Sequence, residues 1–369
     1  MEEHMNKKEI LEIKKTLTKD KTCIKSIAGC YVNAQKNKII TFMSSLNLLP
    51  EEEQFKYLRI LKSCFSGKIG EKLLNLSFTN ESEGPDTGHE LLLNLKDSDL
   101  DNENTLNKVF DMIINTYPYE ENYLILIANG AYDIPGNLAD SSDYVYKHLV
   151  CAICPVKLSK EGLSYYSKEN IIRNRDRDWV VGMPINGFLF PSFTNRNTDI
   201  HSMLYYSKSY KEANSSFIND FLNIKIPLFA NEQKVMLDNA IMAAFDCDCN
   251  YETMVSVYEN IKDIAFEHRD DEDPYNLSKN DFKTVLEKAG IKEDGINKFE
   301  NYYEDTIKRE SIQPDNIVIN SLLTIEIPNV KIKINRDYAE SLKIENINGK
   351  KCIVIDVNGD IKLDGVEIH

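Results

Sequence analysis

At 369 residues, with 42% hydrophobic and 28% charged side chains, the chain is long enough for two or three domains with sizeable cores and too apolar to be disordered. A formal net charge of −15 excludes a general affinity for nucleic acid, and no apolar run reaches the ~18 residues of a membrane helix. The charge is uneven: residues 1–50 carry +4 and 151–210 carry +3, against −10 each for 51–150 and 211–310 and −2 for 311–369. Two mildly basic segments inside an acidic body leave room for a local anion site. The N-terminus, MEEHMNKKEILEIKK, is charged and amphipathic rather than a signal peptide. Eight cysteines, at 23, 30, 64, 151, 154, 247, 249 and 352, are too scattered for a disulfide scaffold, so reduced thiols in a cytoplasm are expected.

In chain order, residues 6–15 read as a short helix, and 23–32 with 38–42 as a hairpin around a turn at 33–37. Pro50 followed by three glutamates opens a helix to about residue 63. The run 73–78 is short and apolar, strand or helix, and helices are expected over 89–96 and 105–117. The runs YLILIANGAYDIP and HLVCAICPV are continuous apolar strands, of the kind found in a sheet covered on both faces. Between them, 136–143 is a polar loop. Short strands are expected at 179–183 and 187–190, and a strand or short helix at 200–206.

From residue 211 helical patterns dominate, over 213–222, 231–245, 251–267, 278–289 and 296–308. Ser278 and Asp281 form a capping-box pattern, and Gly290 stops that helix. The acidic run 270–273 is a solvated turn without the alternation of a calcium loop. Strands at 316–327, 331–334, 344–347, 352–357 and 361–368 follow, with Asn348-Gly349 and Asn358-Gly359 as hairpin turns. The expected class is therefore α+β: a mixed N-terminal region (1–118), a central sheet-centred region (119–210), an acidic helical segment (211–310) and a small β-rich tail (311–369).

Chemistry-bearing residues concentrate around DWVVGMPINGFLFPSFTNRNTDIHSMLYY, residues 178–206. Asp199 and His201 are two apart, so an extended backbone would put both on one face, as an acid–base pair or two metal ligands. Arg196 would then clamp an anion and Asn195 donate to an oxyanion. The plainer alternative is that Thr198 or Asp199 caps a helix starting near Ile200 and His201 faces solvent or packs on an aromatic ring. Arg173, Arg175 and Arg177 alternate with Asn174, Asp176 and Asp178; an extended strand would align them for phosphate contact, or simply keep an edge strand soluble. Among the nearby aromatics, Tyr165, Tyr166, Trp179, Phe188, Phe190 and Phe193 would stack on bases or fill a core, and core is the commoner use. Cys151 and Cys154 have the spacing of a redox or zinc half-site, but side chains three apart on a strand point to opposite faces, so buried core thiols are expected. No phosphate-loop, dinucleotide, nucleophile-elbow or His-Glu-x-x-His pattern is spelled, so no metal or cofactor is assigned.

The stretches MNKKEILEIKK, SIAGCYVNAQKNK, LVCAICPVKLSKEGLSY and DWVVGMPINGFLFPSFTNRNTDIHSMLYYSK together are similar to a Firmicutes family catalogued as domain of unknown function 4317. The resemblance runs from Met5 nearly to the C-terminus. It implies a cytoplasmic protein of a Clostridia-like bacterium, and it supplies no activity, cofactor or catalytic residue. The residues themselves point first to a non-catalytic binding or regulatory protein that docks on a macromolecular partner, protein or RNA or a ribonucleoprotein, through the basic central segment. The alternative is a hydrolase or transferase acting on a small anionic metabolite through the 195–201 cluster. No membrane association is expected.

Overall fold

The computed structural model describes residues 4–79, 81–85, 87–135, 145–209, 213–224, 226–245, 251–269, 271, 275–308, 310, 312–318, 322–335, 338, 341–357, 359–363 and 366–368. The expected loop at 136–143, Cys247 and Cys249, Asp270, Glu272 and Asp273 of the acidic run, and Asn358 lie outside the described residues. The chain forms two compact units, Met1–Pro227 and Leu228–His369. The class is α+β, with one large antiparallel sheet, helices and small C-terminal hairpins.

In the first unit, α1 (Lys7–Lys15) starts at Asn6, whose side chain accepts from the Lys8 and Glu9 amides while Glu9 bonds back to the Asn6 amide. Then come β1 (Ile24–Val32), β2 (Lys38–Ser45), α2 (Glu51–Ser63), β3 (Leu73–Ser77), α3 (Gly88–Asp97), α4 (Glu103–Thr116), β4 (Tyr123–Asp133) and β5 (Val145–Leu158). The short strands β6 (Leu163–Tyr166), β7 (Ile171–Asn174), β8 (Trp179–Val181), β9 (Asn186–Phe190), β10 (Ser192–Thr194), β11 (Asn197–Asp199) and β12 (Ser202–Ser207) complete it. The main sheet has the order β2-β1-β4-β5-β9-β12-β3, with β8 pairing the far end of β5. Strands from both the 1–118 and 119–210 regions thus share one sheet, and the stretch expected at 200–206 is a turn at 200–201 followed by the strand β12.

The continuous apolar runs are buried on both sides, as their composition demands. Leu124, Leu126 and Ala128 of β4, opposite Cys154, Ala152 and Val150 of β5, pack with Ile10 and Ile13 of α1 and Leu58 and Leu61 of α2. On the other face Phe188 and Tyr205 meet Phe217, which also packs on Tyr117 at the end of α4. Phe217–Phe221 forms a π turn rather than the regular helix expected over 213–222; it buries Phe217, Ile218 and Phe221 together. Cys151 and Cys154 are both buried in β5, and only Cys154 belongs to the cluster beneath α1 and α2, consistent with opposite faces. Burial pushes the Cys154 thiol up to about 12 and Cys151 higher still, so neither is a thiolate at neutral pH. Gly187 is required here: a Cβ would lie 2.5 Å from the Cys151 carbonyl oxygen and 2.7 Å from Cys64 Sγ.

The second unit contains α5 (Ala230–Phe245), α6 (Tyr251–Glu267), α7 (Lys279–Lys288), α8 (Glu293–Tyr302) and α9 (Pro314–Val318). Leu237, Ile241, Ile261, Phe282, Phe299 and Ile317 form its core. The Ser278–Asp281 capping box is present at the start of α7, and Gly290 takes a positive φ of 78° just after it. The strand expected from 316 begins later: Asn316 donates to Gln233 Oε1 at 3.2 Å and Ile317 is core, which holds Pro314–Val318 helical. The tail then makes three separate hairpins, β13 (Leu322–Ile327) with β14 (Val330–Asn335), β15 (Leu342–Ile347) with β16 (Lys350–Ile355), and β17 (Ile361–Leu363) with β18 (Val366–Ile368). Asn348 and Gly349, with φ of 51° and 78°, form the expected hairpin turn.

Candidate functional site

Two places hold the residues singled out by the sequence: the β10–β11 hairpin and a β-arm that leaves the sheet at the end of β5. The hairpin turns at Asn195 and Arg196, which both have positive φ, 50° and 54°. For a residue as long as arginine that backbone is unfavourable unless held from outside. Glu9 of α1 supplies the hold by accepting the Arg196 amide at 3.0 Å. The guanidinium donates to Glu12 Oε1 at 3.1 Å and to the Pro135 carbonyl at 3.3 Å, and Tyr132 donates to the same Glu12 oxygen at 2.8 Å. Burial and then Glu12 push the Tyr132 phenol up to about 12, so it remains a donor. Arg196 therefore fastens the hairpin to α1 with the groups that an anion clamp would need free.

Asp199 closes the turn into β12: one carboxylate oxygen accepts the His201 amide at 3.0 Å and the other accepts the Ser202 hydroxyl. The His201 ring points elsewhere, to Glu83, with Nδ1 2.6 Å from Oε1. Asp199 and His201 are thus joined through backbone rather than as an acid–base pair. The Ile200 carbonyl accepts from His89 Nε2 at 2.8 Å and the His201 carbonyl from the Phe78 amide at 2.8 Å, so the turn is anchored at each peptide. Among the described residues no group of three or more His, Cys, Asp or Glu is placed to hold a metal ion.

The arm is one long antiparallel ribbon. At its base Val156 faces Val181 and Leu158 faces Trp179; at its tip Leu163 faces Asn174 and Tyr166 faces Ile171. The two ladders share a single register, bridged by Ser159 N to Asp178 O at 2.9 Å and Arg175 N to Gly162 O at 2.8 Å. Residues directly opposite share a face, so Leu163, Tyr165 and Ile172 stand together on one side of the tip. They are 75%, 61% and 69% exposed, and at the base Trp179 is 56% exposed. On the reverse side Arg173 lies over the Tyr166 ring at 4.1 Å and pairs with Glu169 at 3.2 Å. Arg177 pairs with Glu161 at 2.7 Å and donates to the Ser159 carbonyl at 2.8 Å. Arg175 makes no ion pair among the described residues.

The six aromatics divide accordingly. Phe188, Phe190 and Phe193 are core, Tyr165 and Trp179 face outward, and Tyr166 is half-buried beneath Arg173. Sequence reasoning passed over Leu163 and Ile172. The available signal was weak: Leu163 and Tyr165 flank Ser164, and Ile172 stands between Ile171 and Arg173. No helix among the described residues is long and apolar enough to cross a membrane. A comparison with curated proteins finds no match. The model of the family described as domain of unknown function (DUF4317) matches residues 5–366, nearly the whole chain, and the chain belongs to that family.

Proposed function

We propose that this is a cytoplasmic, non-catalytic binding protein that docks on a macromolecular partner through the arm at 156–181, and that the partner surface is protein. The observation that carries the reading is the uncovered face of Leu163, Tyr165 and Ile172 at the tip; Trp179, exposed at the base, lies on the opposite face with Arg173 and Tyr166. Clustered exposed apolar and aromatic groups of this kind mark interaction surfaces, and aromatic and arginine anchors dominate their energetics. RNA is less favoured than protein because two of the three arginines already have acidic partners on the arm, leaving a weak charge footprint for phosphates. The matching partner is an apolar groove that takes the Leu163, Tyr165 and Ile172 face.

The test is copurification from lysate at low salt with nuclease present, comparing the wild-type chain with Ile172→Asp, followed by reconstitution with the recovered partner. A protein retained by wild type and bound at least about tenfold more weakly by Ile172→Asp supports the reading. Retention of RNA that is lost on raising salt, or self-association of the pure chain abolished by the same substitution, replaces the partner with nucleic acid or a second copy.

The hydrolase or transferase reading keeps one supporting observation: Glu83 orients the exposed His201 ring and leaves Nε2 free. It predicts that His201→Ala abolishes turnover of a small anionic substrate with an unchanged melting temperature.

A further inference from the structure

A second feature lies on the side of α1 turned away from Arg196. Leu11, Lys14, Lys15 and Thr18 are spaced i, i+3, i+4 and i+7, which aligns them along one stripe of the helix and its exit. They line a surface cavity of about 370 Å³ together with Lys21, from the turn before β1, and Lys62, near the end of α2. Four of the six lining residues are lysines, in a chain whose net charge is −15. No lining residue is acidic.

Two lysines in the last turn of a helix are ordinary, because they oppose its dipole. Lys21 and Lys62 are not explained that way, since neither belongs to α1. Lys14 is fixed rather than waving in solvent: its ammonium donates to the Phe65 carbonyl at 3.0 Å and to Ser66 Oγ at 3.2 Å. Burial and then Lys62 lower its affinity for its proton, so the neighbouring charges repel. Among the described residues Lys15, Lys21 and Lys62 make no ion pair. The cavity therefore collects positive charge without a protein counter-charge, around the apolar side chain of Leu11.

We propose that this cavity binds a small organic polyphosphate, with its phosphates on Lys15, Lys21 and Lys62 and its apolar part against Leu11. Lysines act here as mobile point charges rather than as a bidentate fork, which suits several phosphoryl oxygens better than a single carboxylate. The site is independent of the arm and of the docking reading.

The test uses the full chain and inorganic tripolyphosphate as the probe, by calorimetric titration at low and moderate salt. Saturable one-to-one binding is expected, weakened by salt, and weakened at least about fivefold by Lys62→Gln and by Lys15→Gln. Because Lys62 repels Lys14, Lys62→Gln should also match or exceed the wild-type melting temperature without anion, which separates lost binding from lost folding. Absence of saturable binding, or equal binding by wild type and both variants, overturns the proposal. A single-stranded RNA that binds through the same lysines and is not displaced by tripolyphosphate overturns the small-molecule assignment in favour of a nucleic-acid contact.

Discussion

His148 offers a prediction that follows from its buried surroundings. It is fully buried in β5, stacked on Tyr146 with ring centroids 4.7 Å apart. Nδ1 lies 3.2 Å from the Tyr146 carbonyl, an acceptor, so the proton sits on Nδ1 and Nε2 presents a lone pair toward Cys23 Sγ at 3.8 Å. Gly130 makes this position possible: a Cβ there would lie 2.6 Å from Nε2. Burial pushes the imidazole down to about 4 from its ordinary 6.5, and it raises the Cys23 thiol, so the pair is neutral thiol and neutral imidazole at neutral pH. The native state then binds fewer protons than the unfolded chain between those two values. Stability from this residue is complete above pH 6.5 and falls as pH drops toward 4. Linkage gives a loss of about 2 kcal/mol between pH 7.5 and pH 5. The assay is urea unfolding of wild type and His148→Gln at both pH values. The wild-type advantage should shrink by about that amount at the lower pH, whereas carboxylate effects cancel in the difference. A pH-independent difference would show that the buried ring does not titrate as its surroundings require, and would refute the reasoning.

Further outcomes follow from single contacts. Gly187→Ala should lower stability by about 2 kcal/mol or more in thermal melts, because its Cβ meets the Cys151 carbonyl and Cys64 Sγ in a packed sheet. Ser278→Ala removes the cap of α7 and should cost about 1 kcal/mol, read as an earlier helical transition by circular dichroism. Arg196→Ala should cost about 1 kcal/mol by freeing Glu12 and the Pro135 carbonyl, whereas His201→Ala, an exposed pair with Glu83, should change the melting temperature little.

Much of the architecture is legible in local sequence. The unbroken apolar runs of β4 and β5 require cover on both faces and receive it from helices. Ser278 with Asp281, Gly290 and Asn348-Gly349 mark helix and hairpin ends because those positions need a particular side chain or φ. Long-range pairing is not legible: nothing local says that β3 lies beside β12, or that Lys62 joins the stripe of Lys14 and Lys15. The spacing of Asp199 and His201 was visible, but their separation into a turn closure and a Glu83 pair depends on Phe78, His89 and Glu83, distant in sequence. The arm misleads for a related reason. Leu163, Tyr165, Ile172 and Trp179 have core composition, and only the absence of a second layer over them leaves them exposed.

The most direct test of the docking account is site-specific photo-crosslinking from position 172 in living cells, in the wild-type background and with Leu163→Ser and Tyr165→Ser added. A single protein species captured in the first and lost in the second, with the melting temperature unchanged, is the predicted result. Capture of nucleic acid, or the same protein at equal yield in both backgrounds, would contradict the assignment of the arm as the docking surface.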